Sequence, residues 1–569
     1  MSCRSAAPGT SLVLTSLLCL ACAAQAQVPG IADPGAVQQH SDATNDYFQL
    51  QDRIDKSAQT AAPDVLNNQL APRPDTAARR NERGAFQLRS VETNTSAIFT
   101  PEQLSAITGR YQGRQVDLND LNAMVAEINA YYKAHGYITA IAILPPQTVT
   151  LGVVHIQLVE SRLGKVIIRG NAHTRTSYFT NRLRCQPGDL VRLAEIQNSL
   201  SYFNATNDVK VKALLQAGQQ FGTTDLILDI QPAPAETTSV SADDTGLASI
   251  GKQRVGMTET VPSLLGFRDP LSVGGYWANG MWAGFASYDF PLTAGGLRLG
   301  PEISYDSIRV RQSALQKLGV NGSFYDLSLR LSHPLVTADR FSLNGFVAPH
   351  FQDSTLESQG YPISHIITRS LEFGTSLQAF DKHGFWAANM FAAGGDYNLL
   401  GLHAFVKFGG SAMRVQKLPK GAVLVFRGQG QGKAADPTLL PPSQQFQIGG
   451  LSTSRGYAEG AFIGDSGYAT SAELNAPFPF SSRKLFGIRV GQRVKWAGFI
   501  DHAGLVSPKS TYLTGTGGGL IVGLSPFLEG RVYLATPLQD RSQYKHLQLH
   551  FALQATPRLA SIWHKVRSE

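Results

Sequence analysis

From about Glu236 onward the chain alternates apolar and polar residues one by one: Leu327, Leu329 and Leu331 against Asp326, Ser328 and Arg330; Leu371, Phe373 and Leu377 against Glu372, Ser376 and Gln378; Leu547, Leu549, Phe551 and Leu553 against His546, Gln548, His550 and Gln554. Successive side chains of a strand point to opposite faces, so a period of two predicts strands with one apolar and one wet face. A β-sandwich reads similarly, but its inner faces divide between two packed sheets of about seven strands. Here about 330 residues run without a helical stretch. That suits one large closed sheet, and strands of about ten residues plus connections allow roughly sixteen. Ahead of residue 236 the period is helical. Leu118, Leu121, Val125 and Ile128 recur 75 positions later as Leu193, Ile196, Leu200 and Phe203, a stripe that marks one buried helix face. Each stripe follows a short strand and helix (Phe86 to Glu92, Pro101 to Tyr111; Lys165 to Arg169, Thr176 to Leu183). Each precedes two alternating strands (Ile138 to Leu144, Val149 to Val159; Val209 to Leu215, Asp225 to Ile230). The result is two βααββ units of about 75 residues, large enough to fold alone. Asp33 to Lys56 holds helix formers without a wide apolar stripe. A helix polar all round needs a wet or polar host, and a disordered N-terminus is the alternative.

Composition adds targeting. Met1 to Ala26 carries Arg4, an apolar core from Leu12 to Leu20, and Ala24-Gln25-Ala26 before Gln27; this reads as a signal peptide over 1–26. Cys22 raises a lipoprotein alternative, but Cys19 stands where a leucine is usual. Three of the four cysteines fall in this segment, leaving Cys185 without an intramolecular disulfide partner. After residue 26 no run of about 18 apolar residues occurs, so no transmembrane helix is expected. A membrane-spanning form must then be a closed barrel, which satisfies its own backbone polar groups. The net charge of +8 is scattered, which does not point to nucleic acid. Ser57 to Glu82, with Pro63, Pro72, Pro74 and Arg79-Arg80, reads as a linker. As a relaxed coil of about 25 residues it reaches roughly 30 Å, comparable to the about 25 Å apolar height of an outer-membrane barrel.

One stretch organises the rest: Phe446 to Leu474, FQIGGLSTSRGYAEGAFIGDSGYATSAEL. Gly449 and Gly450 let the backbone bend where a side chain would obstruct it. A lone arginine then follows in Ser454-Arg455-Gly456-Tyr457. Next come a turn with Gly464, Asp465 and Gly467 and a return strand carrying Glu473. This passage resembles the arginine-glycine-tyrosine loop of the outer-membrane two-partner secretion transporters, which export haemolysins and filamentous adhesins. The βααββ copies are similar to that family's two POTRA domains, above all at Ile128 to Ser161, INAYYKAHGYITAIAILPPQTVTLGVVHIQLVES. Phe499-x-Asp501 resembles its aspartate motif on a wall strand, except that Ala503 stands where the family has glycine and Gly504 comes next.

The resemblance implies a mainly β fold: a large antiparallel transmembrane β-barrel of about 16 strands, preceded by two α+β POTRA domains and an N-terminal plug helix. The expected divisions are a signal peptide over 1–26, a plug helix over 27–56 and a linker over 57–82. POTRA domains follow over 83–163 and 164–235, and the barrel with its inward-folded loop over 236–569. Arg455, Gly456 and Tyr457 are expected to latch onto Asp501 inside the lumen, with Gly449, Gly450, Gly464, Asp465, Gly467 and Glu473 supporting the loop. Leu118, Val125, Val209 and Val211 are candidate passenger-binding residues, since helix-on-sheet domains offer edges to an extended chain. The chain would sit in a Gram-negative outer membrane with its POTRA domains in the periplasm, touching outer-membrane lipid and a secreted exoprotein, as a monomer or weak dimer. It would be no enzyme and carry no cofactor. A barrel assembly factor of the same superfamily is the alternative, and a solute porin explains the barrel but not the repeats.

Catalytic motifs fail on their chemistry. Gly464-Asp465-Ser466-Gly467 echoes a serine-protease turn, but Tyr468 and Ala469 follow it and no Ala-Ala-His-Cys segment precedes it; a nucleophilic serine needs a base held by a third group. Gly428, Gly430, Gly432 and Lys433 approach a phosphate loop, but Arg427 replaces its first glycine and Ala434 its Mg²⁺-holding hydroxyl. The histidines lack metal-ligand spacing.

Overall fold

The computed structural model describes residues 33–57, 66–67, 84–231, 234–312, 314–338, 340–399, 401–434, 439–478, 484–485, 488–489, 493–525, 527–539 and 547–556. The signal-peptide reading, most of the linker and the tail after residue 556 lie outside these residues.

Alternation closes into a barrel of sixteen antiparallel strands, from Thr237–Asp243 to Gln548–Ala555. The fourth strand is interrupted at Asp289, so that Met281–Tyr288 and Phe290–Pro291 both pair with Arg298–Arg309. The last strand closes on the first from Val240 opposite Ala555 to Asp243 opposite Ala552, which leaves the sheet without a free edge to desolvate in lipid. The closing strand is Gln548–Ala555 among the described residues. Leu327, Leu329, Leu371 and Phe373 are exposed on the outer face, while Asp326, Ser328 and Glu372 alternate with them. Trp282, Tyr305 and Tyr325 pack across neighbouring strands as tilted rings with centroids 4.9 and 4.4 Å apart, as in an interfacial aromatic girdle. No helix among the described residues is long and apolar enough to cross a membrane.

The first βααββ unit packs helix Leu118–Ala134 on the sheet Ser90–Thr93, Val153–Val159, Ile141–Ile143. Asp117 and Asp120 cap this helix reciprocally, satisfying amides at its first turn. Its buried face is Leu121, Met124, Ile128 and Tyr132. The expected stripe is therefore corrected at two of its four positions: Leu118 is 55% exposed at the helix start, and Val125 lies at the margin of the core, while Met124 and Tyr132 are buried in their stead. In the second unit Ile196, Leu200 and Phe203 of helix Leu193–Thr206 pack with Leu226, Leu228 and Cys185. The opening helix, expected over Thr176 to Leu183, is a single turn, Thr176–Thr180. Burial pushes the Cys185 thiol pKa up, which keeps it protonated and unreactive.

A short linker strand, Leu66–Asn67, pairs in parallel with Ala213 and Leu214 of Val211–Ala217 and so covers part of that edge of the second unit's sheet. The second unit is also tied to the turn between the barrel strands Arg254–Val261 and Leu271–Ala278. Arg175 donates its backbone N–H to Gly266 O (2.8 Å) and its Nε–H to Leu265 O (3.0 Å), and Arg268 grips Asp208 through two guanidinium nitrogens.

Helix Pro34–Ser57 starts from Asp33, whose Oδ1 accepts the amides of Gly35 (2.9 Å) and Ala36 (3.1 Å). It crosses the barrel interior. Val37 packs on Ala278, Met281, Ile308 and Val320 of one wall, and Tyr47 on Phe499, Ile521 and Tyr533 of another. The expectation of a helix without an apolar face thus needs correcting: Ala36, Val37 and Tyr47 are buried contacts, placed among the buried polar residues His40, Ser41 and Thr44. The period-based reading missed them because three apolar residues on a long helix do not make a stripe.

Candidate functional site: the arginine loop and its wall

The loop leaves the wall between Val423–Lys433 and Ser466–Pro477, which pair with each other, and runs as the hairpin Phe446–Ile448 with Phe462–Gly464. Gly449 and Gly450 have φ of +106° and +96°, a left-handed region that glycine enters at no steric cost. They bring Gly449 N within 2.8 Å of Thr453 Oγ1 and Gly450 N within 3.1 Å of Ser454 O. Asp465 is buried and holds the loop's base: its Oδ1 accepts from Leu440 N and Gln445 Nε2, each at 3.1 Å, and Lys433 Nζ stands 3.5 Å from Oδ2. Gly464 and Gly467 permit close approach, since a Cβ would fall 2.5 Å from Ser507 O and 2.8 Å from Gly504 O respectively.

Arg455 is fully buried at the tip. Its Nε and Nη2 donate to Asp501 Oδ2 (2.7 Å) and Oδ1 (2.8 Å), and its own amide donates to Oδ2 (3.0 Å). Nη1 donates to Glu473 Oε2 at 2.5 Å. Ser471 Oγ accepts from Arg455 Nη2 (3.2 Å) and donates to Asp501 Oδ1 (2.7 Å). A bidentate guanidinium–carboxylate pair is strong and geometrically specific, and only such completeness makes buried charges tolerable. The guanidinium also lies 3.4 Å above the Phe499 ring centroid, a favourable cation–π position. Arg427 donates to Ser471 Oγ (3.2 Å), so two arginines face two carboxylates. The Ala503 departure leaves the strand regular: Ala503 pairs opposite Ala469 and Gly504 opposite Tyr468.

Gly456, at φ +99°, lies against Thr536 and Pro537. Tyr457 is buried, and its hydroxyl donates to Thr514 O (3.0 Å) or Gln539 Oε1 (3.1 Å). The helix shares this ground. Tyr47 packs with Leu451 of the loop and with Phe499 beneath the arginine, while the Arg427 guanidinium sits 4.6 Å from the Tyr47 ring centroid. Beside this cluster a cavity of about 400 Å³ opens between Tyr47, Gln49, Ser376, Asn389, Arg427 and Ser471.

Sequence reasoning named Arg455, Asp501 and Glu473, and quoted Phe499 in the wall motif without giving it a role, but missed Ser471 and Gly515 as parts of the site. Residues two apart share a strand face, so Ser471 beside Glu473 and Phe499 beside Asp501 were available to that rule. Gly515 was not, because only the docked loop shows what it accommodates: a Cβ there would lie 1.8 Å from Arg455 O. Gly515→Ala is therefore expected to unseat the loop, since overpacking of this kind costs about 1–3 kcal/mol or more. Secretion should fall while the barrel keeps its heat-modifiable migration on gels, the measurement that separates the two effects.

The candidate passenger-binding residues separate. Leu118 is exposed and Val125 half-buried, but Val209 and Val211 are buried in the second unit's core. The side chains of Val209, just ahead of the strand, and Val211, on the inward face of Val211–Ala217, are thus inaccessible, which corrects the expectation.

Residues 86–161 match the model of the POTRA domain, ShlB-type, and residues 387–555 that of the Omp85 superfamily domain. The chain is 24% identical over 503 residues to the heme/hemopexin transporter protein HuxB of Haemophilus influenzae, covering 84% of this chain and 87% of that one. It is 26% identical over 213 residues to the outer membrane transporter CdiB of Dickeya dadantii, 37% of each chain. In fold it is similar to CdiB from Escherichia coli, with a TM-score of 0.64, 18% identity, and coverage of 93% of this chain and 100% of that one. BamA from Haemophilus ducreyi lacking POTRA domains 1–3 gives 0.52 at 16% identity, covering 83% and 100%.

Proposed function

The chain belongs to the two-partner secretion transporters of the Omp85 superfamily, outer-membrane barrels with periplasmic POTRA domains that export an exoprotein without enzymatic chemistry, and on that footing we propose how its own residues divide the work. The POTRA pair receives an unfolded exoprotein of the haemolysin or adhesin type. The helix Pro34–Ser57 plugs the resting lumen and withdraws during export. The loop is latched through Arg455 to Asp501 and Glu473, holding a wall surface on which the exported chain passes. The observation that carries this reading is the sharing of one cluster by plug, loop and wall: Tyr47, Leu451, Phe499 and Tyr533 pack together beneath Arg455. Withdrawing the helix removes Tyr47 from that cluster and loosens the latch's apolar cover, so plug release and loop movement are coupled.

Direction comes from the far side. A passenger with a repeat fold begins folding on its emerging segment and propagates by nearest-neighbour contacts, which opposes back-sliding without a nucleotide.

Recognition is assigned to main-chain pairing on the sheet edge at Val211–Ala217, where an extended chain adds as a strand. The linker strand Leu66–Asn67 occupies part of that edge, so passenger and linker compete. Residues 83–235, which lack the linker strand, should bind the unfolded N-terminal domain of the cognate exoprotein more tightly than the full chain does. At about 0.5–1.5 kcal/mol for each ladder hydrogen bond released, the gain should be roughly fivefold or more, read by calorimetry. If residues 83–235 do not bind, and deleting the gene depletes unrelated outer-membrane barrels, the protein serves barrel assembly instead.

A further inference from the structure

We propose that the junction between the second POTRA domain and the barrel mouth holds a carboxylate-receiving pocket, formed chiefly by Arg182 and Arg330, that takes Asp or Glu side chains of the exported chain as it enters the lumen. The proposal rests on the export reading above.

The pocket encloses about 290 Å³, enough for one or two side chains, and its described lining includes Arg182, Arg298, Arg330 and His333 but no aspartate or glutamate. Arg298 is already neutralised by Asp289 (Nε to Oδ2, 2.7 Å). Neither of the other two arginines has a carboxylate within ion-pair distance among the described residues; Glu302, on the strand beside Arg330, interacts with its charge from farther off. Arg182 lies 3.6 Å over the Tyr178 ring and donates to Tyr178 O (3.0 Å) and Thr293 O (3.3 Å). Arg330 lies 3.8 Å over the Phe346 ring. Stacking on an aromatic face fixes a guanidinium plane and leaves edge N–H groups for a carboxylate. Burial, and among its neighbours' charges that of Arg298, push the Arg182 pKa down, so a bound anion there relieves an existing cost.

The position selects the occupant. Tyr178 and Arg182 belong to the second POTRA domain, whereas Arg330 and Ser376 sit on barrel strands between the outward-facing Leu329, Phe373 and Leu377. They therefore face the lumen rather than lipid, and the anion that passes there is the exported polypeptide.

The test uses the full-length transporter in detergent and a fluorescent peptide of alternating Asp and Ser, with an Asn-Ser peptide as control, read by anisotropy. The wild type should bind the Asp peptide in a salt-sensitive manner and ignore the control. Arg182→Gln with Arg330→Gln should weaken binding about tenfold or more, while the paired Lys replacements retain only part of it, because the charge persists but the planar fork does not. Heat-modifiable migration must be unchanged in both variants. Equal binding of the two peptides, unchanged binding by the Gln variant, or displacement of the Asp peptide by phosphatidylglycerol vesicles overturns the pocket. Failure of the export reading looks different: the wild-type chain then secretes no exoprotein.

Discussion

Replacing Arg455 by alanine should lower exoprotein secretion at least tenfold while leaving the barrel assembled. The substitution strands Asp501 and Glu473, both buried, and removing one member of a buried ion pair typically costs about 3–5 kcal/mol. That energy resides in loop docking. The wall strands keep their own ladders, because Val494–Ser507 pairs with Ser466–Pro477 and Thr511–Ser525 through main-chain bonds. The partners should rank. Asp501 accepts from Arg455 Nε, Nη2 and its amide and from Ser471, whereas Glu473 accepts from Arg455 Nη1, so Asp501→Asn should impair secretion more than Glu473→Gln. Arg455→Lys should rescue only partly, since an ammonium cannot reproduce the bidentate fork. Secretion assays beside heat-modifiable migration check the series; a loss of assembled barrel equal to the loss of secretion would make Arg455 a folding residue.

Deleting residues 27–56 should raise single-channel conductance severalfold in planar bilayers. A helix with its side chains is about 10–12 Å across, and here it runs from the Val37 contacts on one wall to the Tyr47 contacts on another. Its polar anchors are modest: His40 Nε2 lies 2.8 Å from Thr245 O, and Gln447 Nε2 donates to Ala36 O at 2.7 Å. Such contacts can be exchanged for water, which suits a plug that must leave. A milder version, Tyr47→Ala, should increase the frequency of openings without reaching the conductance of the deletion. Unchanged conductance after deletion would place the helix outside the ion path.

The barrel was legible because lipid outside and a polar lumen inside impose opposite solvents on alternate residues, as Leu327 and Leu329 against Asp326 and Ser328 demonstrate. The Arg455–Asp501 contact was readable only through resemblance: 46 residues separate the partners, and no local rule joins them. Two kinds of feature escaped. Contacts made by single apolar residues, such as Val37 and Tyr47 on the helix, carry no period. Features created by docking, such as the clearance at Gly515 and the linker strand on the edge at Val211–Ala217, exist only once distant segments meet. Val209 and Val211 went wrong for a related reason: an alternating strand was recognised, but its apolar face was offered to a partner when the domain's own core already needed it.

The most direct test of export through the lumen is site-specific photo-crosslinking to a passenger stalled in transit. The photoreactive residue would be placed either at lumen-facing Ser376 or Asn389, which border the cavity beside the helix, or at lipid-facing Leu371 or Phe373. The expected result is adducts with the exoprotein from the first pair and none from the second. Adducts from the lipid-facing pair alone, or adducts with nascent outer-membrane barrels in place of the exoprotein, would contradict a transporter that passes its substrate through the pore.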